Sequence, residues 1–253
     1  MRSIQEICFE VIFLSLYRSD FLGIARCCAF TKPSDKTSVS PKNALSSFSK
    51  LCRMSLEVKF LTDYVQIQPT EPPTLEDFAA FCAENPLLRI EREPNGNIGL
   101  NAPLPLLSAD AESLFHGALY LYASQQGGRA FSANATFALP DGSIRMPDAG
   151  YTTAQRFARL TPADKLHFPT IAPDFVVEVR SKSDSLKRLR QKMSDSWIGN
   201  GVRLAWLVDL KRQRTYVYRE NGSVDMLEGF DRKLSGEEVV PGFEFDLRLL
   251  MVV

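Results

Sequence analysis

The pattern of apolar and polar positions divides residues 74–250 into short helices and strands. Apolar residues that recur at helical spacing predict helices over residues 75–85, 108–126 and 185–198. Apolar runs between turn residues predict strands, of which residues 174–180 (DFVVEVR) are the clearest. The elements follow one another as helix, strands, helix, strands, one long strand, helix, strand and hairpin. This order indicates one mixed α/β domain rather than a series of βαβ repeats.

Capping and turn residues mark the ends of several of these elements. Thr74 and Asp77 form a capping-box pattern at the start of the first helix, with an aspartate in place of the usual glutamate. Ser108 is the predicted N-cap of the second helix, and Gly127-Gly128 is its predicted end. Three further dipeptides are typical of tight turns between paired strands: Asn95-Gly96, Asp141-Gly142 and Asn221-Gly222.

Composition is that of an ordinary globular protein. The chain has 253 residues, of which 45% are hydrophobic and 24% charged. The formal net charge is zero, which argues against a generally basic nucleic-acid binder but allows a locally basic groove. His116 and His167 are the only histidines, and both are predicted to be structural, so a histidine-rich zinc site is not expected. A catalytic metal would then need carboxylate ligands, which suit hard ions such as magnesium.

The first 53 residues differ from the rest of the chain. Residues 7–17 (ICFEVIFLSLY) are apolar but interrupted by Glu10, and they predict a short amphipathic helix, with a degenerate signal peptide as the alternative. Residues 31–50 have the composition of a linker or a disordered segment. We favour a simpler interpretation, in which Met54 is the natural start and residues 1–53 are a poorly ordered extension without function.

Residues 54–253 are predicted to form a single domain. Cys82 is the only cysteine in this part of the sequence, so it offers no disulfide framework. The expected location is therefore the reducing cytoplasm, and no association with a membrane is predicted.

The strand at residues 174–180 carries an acidic residue on an otherwise apolar element. Because side chains alternate across a strand, its phenylalanine and two of its valines share one face, and Glu178 lies on the other. A buried glutamate in such a strand is costly unless it is paired or bound to a metal. Asp148 ends another predicted strand, and two carboxylates from adjacent strands can hold a divalent ion that activates water against a phosphodiester. The alternatives are an exposed Glu178, a Glu178 paired with Arg180, and an Asp148 that only forms a turn.

The spacing of these residues resembles the PD-(D/E)XK nuclease pattern. Pro147-Asp148 is followed about thirty residues later by Glu178-Val179-Arg180. The usual pattern has lysine where this chain has Arg180, and arginine is a poor general base. Arg180 is therefore interpreted as a phosphate contact or as the partner of Glu178.

The helix after this strand offers a replacement for the missing lysine. Its apolar residues form one stripe, and Lys192 lies roughly 60° to the side of Leu189, at the edge of the buried face. From there Lys192 can reach over the strand end towards Glu178, and the alternative is a solvated surface lysine. The other basic residues of the helix point more towards solvent and are candidate phosphate contacts: Lys187, Arg188 and Arg190.

The chain resembles the Uma-two family of restriction-endonuclease-like proteins over roughly residues 74–250. The motifs that carry the resemblance are RMPDAGY, APDFVVEVRSKSDSLKRLRQKM, GVRLAWLVDLKRQRTYVYRENG and LSGEEVVPGFEFDL. The resemblance implies a restriction-endonuclease-like α/β core, in which a mixed β-sheet is flanked by helices. It also implies DNA cleavage that depends on Mg²⁺ or Mn²⁺, and a lysine moved from the strand to the following helix.

The same resemblance implies a set of site residues. By this match Asp148, Glu178 and Lys192 fall at the family's site positions, and the two carboxylates are the expected metal ligands. Glu91, in RIEREPNG, resembles the family's early glutamate, and a one-residue ambiguity in the alignment leaves Glu93 as the alternative.

Three functions are open from the sequence. The first is a magnesium-dependent endonuclease that acts on DNA, for which a symmetric homodimer would suit double-strand cleavage. The second is a catalytically degenerate nuclease fold that binds DNA or another protein, because Arg180 stands in place of lysine. The third is a structural or scaffold protein, which requires an open Glu178 face without a pocket.

Overall fold

The computed structural model describes residues 56–60, 64–166, 168–181 and 184–251. The predicted extension (residues 1–53), the candidate start at Met54 and His167 lie outside the described residues. In chain order the strands are β1 (Leu56–Phe60), β2 (Tyr64–Pro69), β3 (Arg89–Arg92), β4 (Ile98–Asn101), β5 (Arg129–Ser132), β6 (Phe137–Ala138), β7 (Ile144–Arg145), β8 (Ala149–Thr152), β9 (Phe175–Arg180), β10 (Leu204–Asp209), β11 (Arg214–Arg219), β12 (Val224–Glu228), β13 (Lys233–Ser235) and β14 (Glu244–Asp246). The α-helices are α1 (Leu75–Glu84), α2 (Leu106–Gln126), α3 (Ala154–Phe157) and α4 (Leu186–Gln191). A π-helical turn (Lys192–Trp197) continues α4, and 3₁₀ turns cover Asp164–Leu166, Ile198–Asn200 and Leu247–Leu250.

The strands form two six-stranded sheets and one two-stranded sheet. The first sheet is antiparallel throughout, in the order β1-β2-β4-β3-β7-β6. The second has the order β12-β11-β10-β9-β8-β5, and in it β9 and β10 run parallel while the other pairs are antiparallel. The parallel pair is joined through α4, as a crossover connection requires. The predicted mixed sheet flanked by helices is therefore confirmed.

The second sheet is covered on both faces. On one face, Phe115 and Leu119 of α2 pack in a core cluster with Phe175, Val177 and Trp206. Burial of several large aromatic rings in one cluster gives this layer most of its apolar area. Because neither face of the sheet is open, its two central strands are buried along nearly their whole length.

The opposite face is covered by α4 and the π-helical turn. Leu189, Met193 and Trp197 pack there against Val176 and Leu207. The alternation predicted for β9 is thus confirmed, because its odd-numbered residues face α2 and its even-numbered residues face α4.

Most predicted helix ends are confirmed. Thr74 caps α1 in a complete capping box with Asp77, and Gly127 ends α2 with a φ of 85°. The predicted start of α2 at Ser108 is wrong: Pro105 is the N-cap, and Ser108 is buried inside the helix. The fixed φ of proline suits the start of a helix, which explains why the helix begins there.

Two further elements differ from the predicted ones. The helix predicted for residues 185–198 is regular only to Gln191 and then widens into the π-helical turn. The segment predicted as one closing strand forms two, since β13 pairs with β14. Trp197 and Trp206 are fully buried, as predicted for core aromatics, whereas His116 is only half-buried. Within the described residues, no helix combines the length and the apolar character needed to cross a membrane.

Candidate active site

β3 presents two charged side chains to one side of the first sheet. Arg89 and Glu91 alternate with Ile90, which is buried in the core with Phe78 and Ile98. Glu91 is 5% exposed. Its Oε1 accepts a hydrogen bond of 3.0 Å from the backbone N–H of Met146, which is enough to fix the direction of the carboxylate.

Arg145 separates the two glutamates that the sequence leaves as alternatives. Its guanidinium donates to both oxygens of Glu93, at 2.9 and 2.5 Å, and lies 3.4 Å from Glu91. Glu91 lines a polar pocket, whereas Glu93 is not among the described residues that line it. Arg145 is itself buried, and its guanidinium helps to keep the Glu91 carboxylate in place.

Asp148 lies where the chain passes from the first sheet to the second, between β7 and β8. Its backbone N–H donates to Val177 at 3.1 Å, and its Oδ2 accepts from the backbone N–H of Val179 at 2.7 Å. These two bonds tie Asp148 to the edge of β9, so that its carboxylate stands beside the strand that carries Glu178.

Glu178 points from β9 towards α4. It is 4% exposed, and its Oε1 accepts a hydrogen bond of 2.8 Å from the indole N–H of Trp197. The predicted need for a partner is therefore met by groups on the following helical segment. Arg180 is not that partner, because it pairs with Asp209 at 2.6 Å.

Lys192 joins the two sheets at this point. Its Nζ lies 2.9 Å from Glu178 and 3.0 Å from Glu91, so the predicted reach over the end of β9 is observed. The ammonium also stands 5.7 Å from the ring centre of Trp197. Lys192 is thus held between a glutamate of each sheet.

One polar pocket at the junction of the sheets is lined by four of the predicted site residues: Glu91, Asp148, Glu178 and Lys192. Its other walls come from the loop after β4, from the loop after β9 and from α4. The lining residues are Arg89, Glu91, Asn101, Ala102, Pro103, Leu104, Met146, Asp148, Glu178, Val179, Ser181, Asp184, Arg188, Leu189 and Lys192.

Two of the pocket carboxyls have strongly raised pKa values. Burial, together with the nearby charge of Glu112, raises the pKa of Asp148 from 3.8 to about 7. Burial also raises the pKa of Glu178 from 4.5 to about 7, against the lowering charge of Lys192 and with smaller raising effects of Asp148 and Glu91. Both carboxyls therefore titrate near neutrality.

The pKa values of Glu91 and Lys192 shift in the directions that favour the charged forms of these groups. Burial disfavours the charged form of Glu91, but Lys192, Arg145 and the hydrogen bond from Met146 overcome it and lower the pKa to about 2. Burial likewise disfavours the ammonium of Lys192, but Glu178 and Glu91 raise its pKa above the ordinary value. Glu91 and Lys192 thus form a permanently charged pair beside two carboxyls that titrate near neutrality.

The predicted phosphate contacts occupy different places. Arg188 lines the pocket, and Lys187 is exposed on the same helix. Arg190 is exposed and lies 5.2 Å from the ring centre of Tyr216. Arg180 is not among the described residues that line the pocket, and it donates to Asp209 and to the backbone carbonyl of Asp184.

Sequence reasoning missed further charged residues of this region, among them Glu112 and Arg89. Glu112 on α2 is buried close to Asp148, and within the described residues its Oε1 has no hydrogen-bond partner. The sequence did contain a signal for Glu112, because this glutamate lies on the apolar stripe of α2, one turn before Phe115 and two turns before Leu119. Arg89 had no comparable signal, because its approach to Asp148 arises only when the two sheets meet.

The donor set suits a hard divalent ion. Within the described residues, no three side chains of histidine, cysteine, aspartate or glutamate form a ready-made metal cage. Mg²⁺, however, is usually bound through one or two carboxylates, with water and substrate phosphate completing its shell. Asp148 and Glu178 supply two such carboxylates to the same pocket, and a bound cation would offset the cost of burying their charged forms.

Comparisons with known proteins identify the fold and the family. A solved structure from Anabaena variabilis ATCC 29413, described as "a putative nuclease belonging to DUF820", superposes with a TM-score of 0.58, at 20% identity over 71% of this chain and 97% of that chain. The predicted restriction-endonuclease-like fold is thereby confirmed. No curated protein matches the sequence. The Uma2 family, described as "Putative restriction endonuclease", matches residues 75–248, and the chain therefore belongs to the Uma2 family.

Proposed function

We propose that the protein is a metal-dependent endodeoxyribonuclease that hydrolyses phosphodiester bonds of DNA in the pocket between the two sheets. One observation carries the proposal: Asp148 and Glu178, a half-buried and a buried carboxyl whose pKa values are raised to about 7, line the same pocket as the ammonium of Lys192. Perturbed carboxyls beside a specific cation are typical of catalytic sites. The family and the neighbour from Anabaena variabilis, both described as nucleases, point to the same reaction class.

Asp148 and Glu178 would hold the divalent ion, Mg²⁺ or Mn²⁺. When bound, such an ion polarises the phosphodiester and lowers the pKa of an attacking water. The carboxylates are prepared for this role because Val179 fixes one and Trp197 fixes the other. Groups fixed in this way orient a bound ion and its ligands without further ordering.

Lys192 and Glu91 form the charged frame of the site. Lys192 keeps its proton over the working range because two glutamates face it, so it serves as an electrostatic stabiliser of the reacting phosphate rather than as a base. Glu91 holds that ammonium in place and is held in turn by Arg145 and by the Met146 backbone.

The proposed partner is duplex DNA. Lys187, Arg188 and Arg190 on α4 would contact backbone phosphates, which position a duplex without reading its sequence. Cleavage of both strands would need two sites, and a symmetric homodimer is the usual way to supply them.

A plasmid-relaxation assay tests the proposal. Wild-type protein is expected to nick or linearise supercoiled DNA with Mg²⁺ or Mn²⁺ and to be inactive with a chelator. Asp148→Asn and Glu178→Gln keep side-chain size but lose the charge, and each is expected to reduce the rate by at least about a hundredfold. Glu220→Gln is the matched control, since Glu220 is 61% exposed in a surface ion pair.

The other outcomes of this assay are equally specific. Salt-sensitive DNA binding without cleavage, in either metal, would favour a degenerate nuclease fold that only binds. Cleavage that survives Glu178→Gln would contradict the assignment of the site, because the activity would then arise elsewhere.

A further inference from the structure

Arg89 occupies an unusual position among the cations of the pocket. It is the first residue of β3 and lies on the same side as Glu91. One Nη donates to the carbonyl of Ala133 at 3.1 Å and stands 3.6 Å from Asp148. Its Nε is buried, and none of the described residues accepts a hydrogen bond from it. The guanidinium thus enters the pocket with part of its donor capacity unused.

The neighbouring cations are committed to carboxylates at closer range. Arg145 is 6% exposed and lies 2.5 Å from Glu93. Arg180 is 15% exposed and lies 2.6 Å from Asp209. Lys192 is 11% exposed and lies 2.9 Å from Glu178. Arg89 is 26% exposed, and its ion pair with Asp148, the one it makes within the described part of the chain, is 3.6 Å long. A contact of that length is an ion pair without a good hydrogen bond.

We propose that Arg89 binds the phosphate at the reacting bond of the DNA and stabilises the charge that develops on it. This inference rests on the proposed nuclease function. It gives Arg89 the role of substrate-facing cation, which Arg180 cannot fill while it is held by Asp209. A guanidinium presents two parallel N–H groups to a phosphate.

The energetics favour such a move towards an anion. The contact with Asp148 that a phosphate would replace is 3.6 Å long and is not a close hydrogen bond, whereas the 3.1 Å hydrogen bond to Ala133 would have to be kept or replaced. The unpartnered Nε gains a partner if a phosphate oxygen reaches it, and satisfying a buried donor is favourable. The alternative role for Arg89 is structural, as a counter-charge for Asp148 and an anchor for the Ala133 loop.

Binding of a short DNA duplex in Ca²⁺ separates the two roles. Fluorescence anisotropy across a KCl series gives the dissociation constant and its salt slope for wild type, Arg89→Ala and Arg89→Lys. Arg203→Ala is the matched control, because Arg203 is 34% exposed and makes a 3.5 Å ion pair outside the pocket lining. Thermal melts of each protein establish that the variants are folded.

A phosphate contact predicts a specific pattern in these data. Arg89→Ala is expected to weaken binding by roughly tenfold and to reduce the salt slope by about one, whereas Arg203→Ala changes neither. Arg89→Lys, which keeps the charge, is expected to retain the slope but lose part of the affinity. In the cleavage assay, added guanidinium is expected to restore activity to Arg89→Ala but not to Glu178→Gln.

Two results would overturn the inference, and they are distinguishable. If wild type binds duplex in a salt-dependent manner and both Arg89 variants match it, Arg89 does not contact phosphate, while the proposed function stands. If wild type itself neither binds nor cleaves DNA, the proposed function fails and the role of Arg89 fails with it. If Arg89→Ala does not fold, Arg89→Lys supplies the same test through its affinity.

Discussion

At the scale of single residues, the site concentrates negative charge where water is excluded. Glu178 is buried, the Asp148 side chain is 13% exposed, and Glu112 adds a third carboxyl beside Asp148. The positive charge of Lys192 is shared between Glu178 and Glu91. Burial is the main cause that raises the pKa values of Asp148 and Glu178 to about 7, and the neighbouring carboxylates add to it; these shifts predict an effect on stability.

Asp148→Asn is expected to stabilise the metal-free protein at pH 8. A carboxyl whose pKa is raised from 3.8 to about 7 on folding holds its proton in the folded state after the unfolded state has released it. Its contribution to stability therefore falls as the pH rises from about 4 to 7, and the full penalty is present at pH 8. Because each pKa unit corresponds to about 1.4 kcal/mol, removing the charge should increase the free energy of unfolding by about 1–3 kcal/mol.

Denaturant unfolding of both proteins at pH 8 and at pH 5 measures this difference. The gain should shrink towards the lower pH, and Mn²⁺ should raise the melting temperature of wild type more than that of the variant. If the variant is less stable than wild type at pH 8 without metal, the ionised Asp148 does not destabilise the folded protein.

The residues of the site differ in how well they could be predicted from the sequence. Glu178 stood out because it interrupts an apolar strand, Asp148 because it follows Pro147 at the end of a predicted strand, and Lys192 because helical geometry places it at the edge of the buried face. Glu112 broke the apolar stripe of α2 in the same way but was not recognised. Arg89 could not be predicted, since its neighbours are set by contacts between strands distant in sequence.

At the scale of secondary-structure elements, the π-helical turn after α4 shapes the site. In a regular α-helix, residues five apart point about 140° away from one another. In this turn Lys192 and Trp197 both contact the same oxygen of Glu178, at 2.9 and 2.8 Å. Single π-helical turns are rare in proteins, and those that occur often lie at functional sites. The sequence predicted a continuous helix here because apolar periodicity does not distinguish the two geometries.

Trp197→Phe is expected to weaken metal binding while leaving the fold intact. The ring is retained in the core, but Glu178 loses the hydrogen bond that fixes its carboxylate. Loss of a group that orients a metal ligand typically lowers metal affinity by about 10–100-fold. Calorimetric Mn²⁺ titration and a thermal melt measure the two quantities, and an unchanged affinity would limit Trp197 to packing.

Two glycines of the α2 region are expected to respond in opposite directions to the same substitution. A Cβ at Gly117, in the middle of α2, meets nothing within 4 Å, so Gly117→Ala should stabilise by about 0.5–1 kcal/mol through helix propensity. Gly128 has a φ of +87°, and a Cβ there would lie 2.5 Å from the Tyr151 hydroxyl. Gly128→Ala should therefore destabilise by more than about 2 kcal/mol.

Equilibrium unfolding of the two variants beside wild type measures both effects. Equal effects of the two substitutions would contradict the described backbone at the end of α2. The turn itself was predicted from the Gly127-Gly128 pair, but its close contact with β8 was not, because that contact depends on the pairing of β5 with β8.

At the scale of the whole molecule, the site exists because two sheets meet. Glu91 comes from the antiparallel first sheet, and Glu178 comes from the mixed second sheet. Asp148 lies in the segment that connects them, and Lys192 bridges them. Local patterns gave the mixed α/β class and most strands, but they contain no information on strand order, so the pocket could not be assembled from the sequence alone.

Direct titration with Mn²⁺ is the most decisive measurement, because it tests the central claim without knowledge of the preferred DNA. By isothermal titration calorimetry at pH 7.5, chosen as about half a unit above the pKa values of the two carboxyls, wild type is expected to bind Mn²⁺ saturably. Glu178→Gln is expected to lose at least about tenfold in affinity, whereas Glu220→Gln should match wild type. Equal Mn²⁺ binding by wild type and Glu178→Gln, or no binding by wild type even with DNA present, would contradict the proposed metal site.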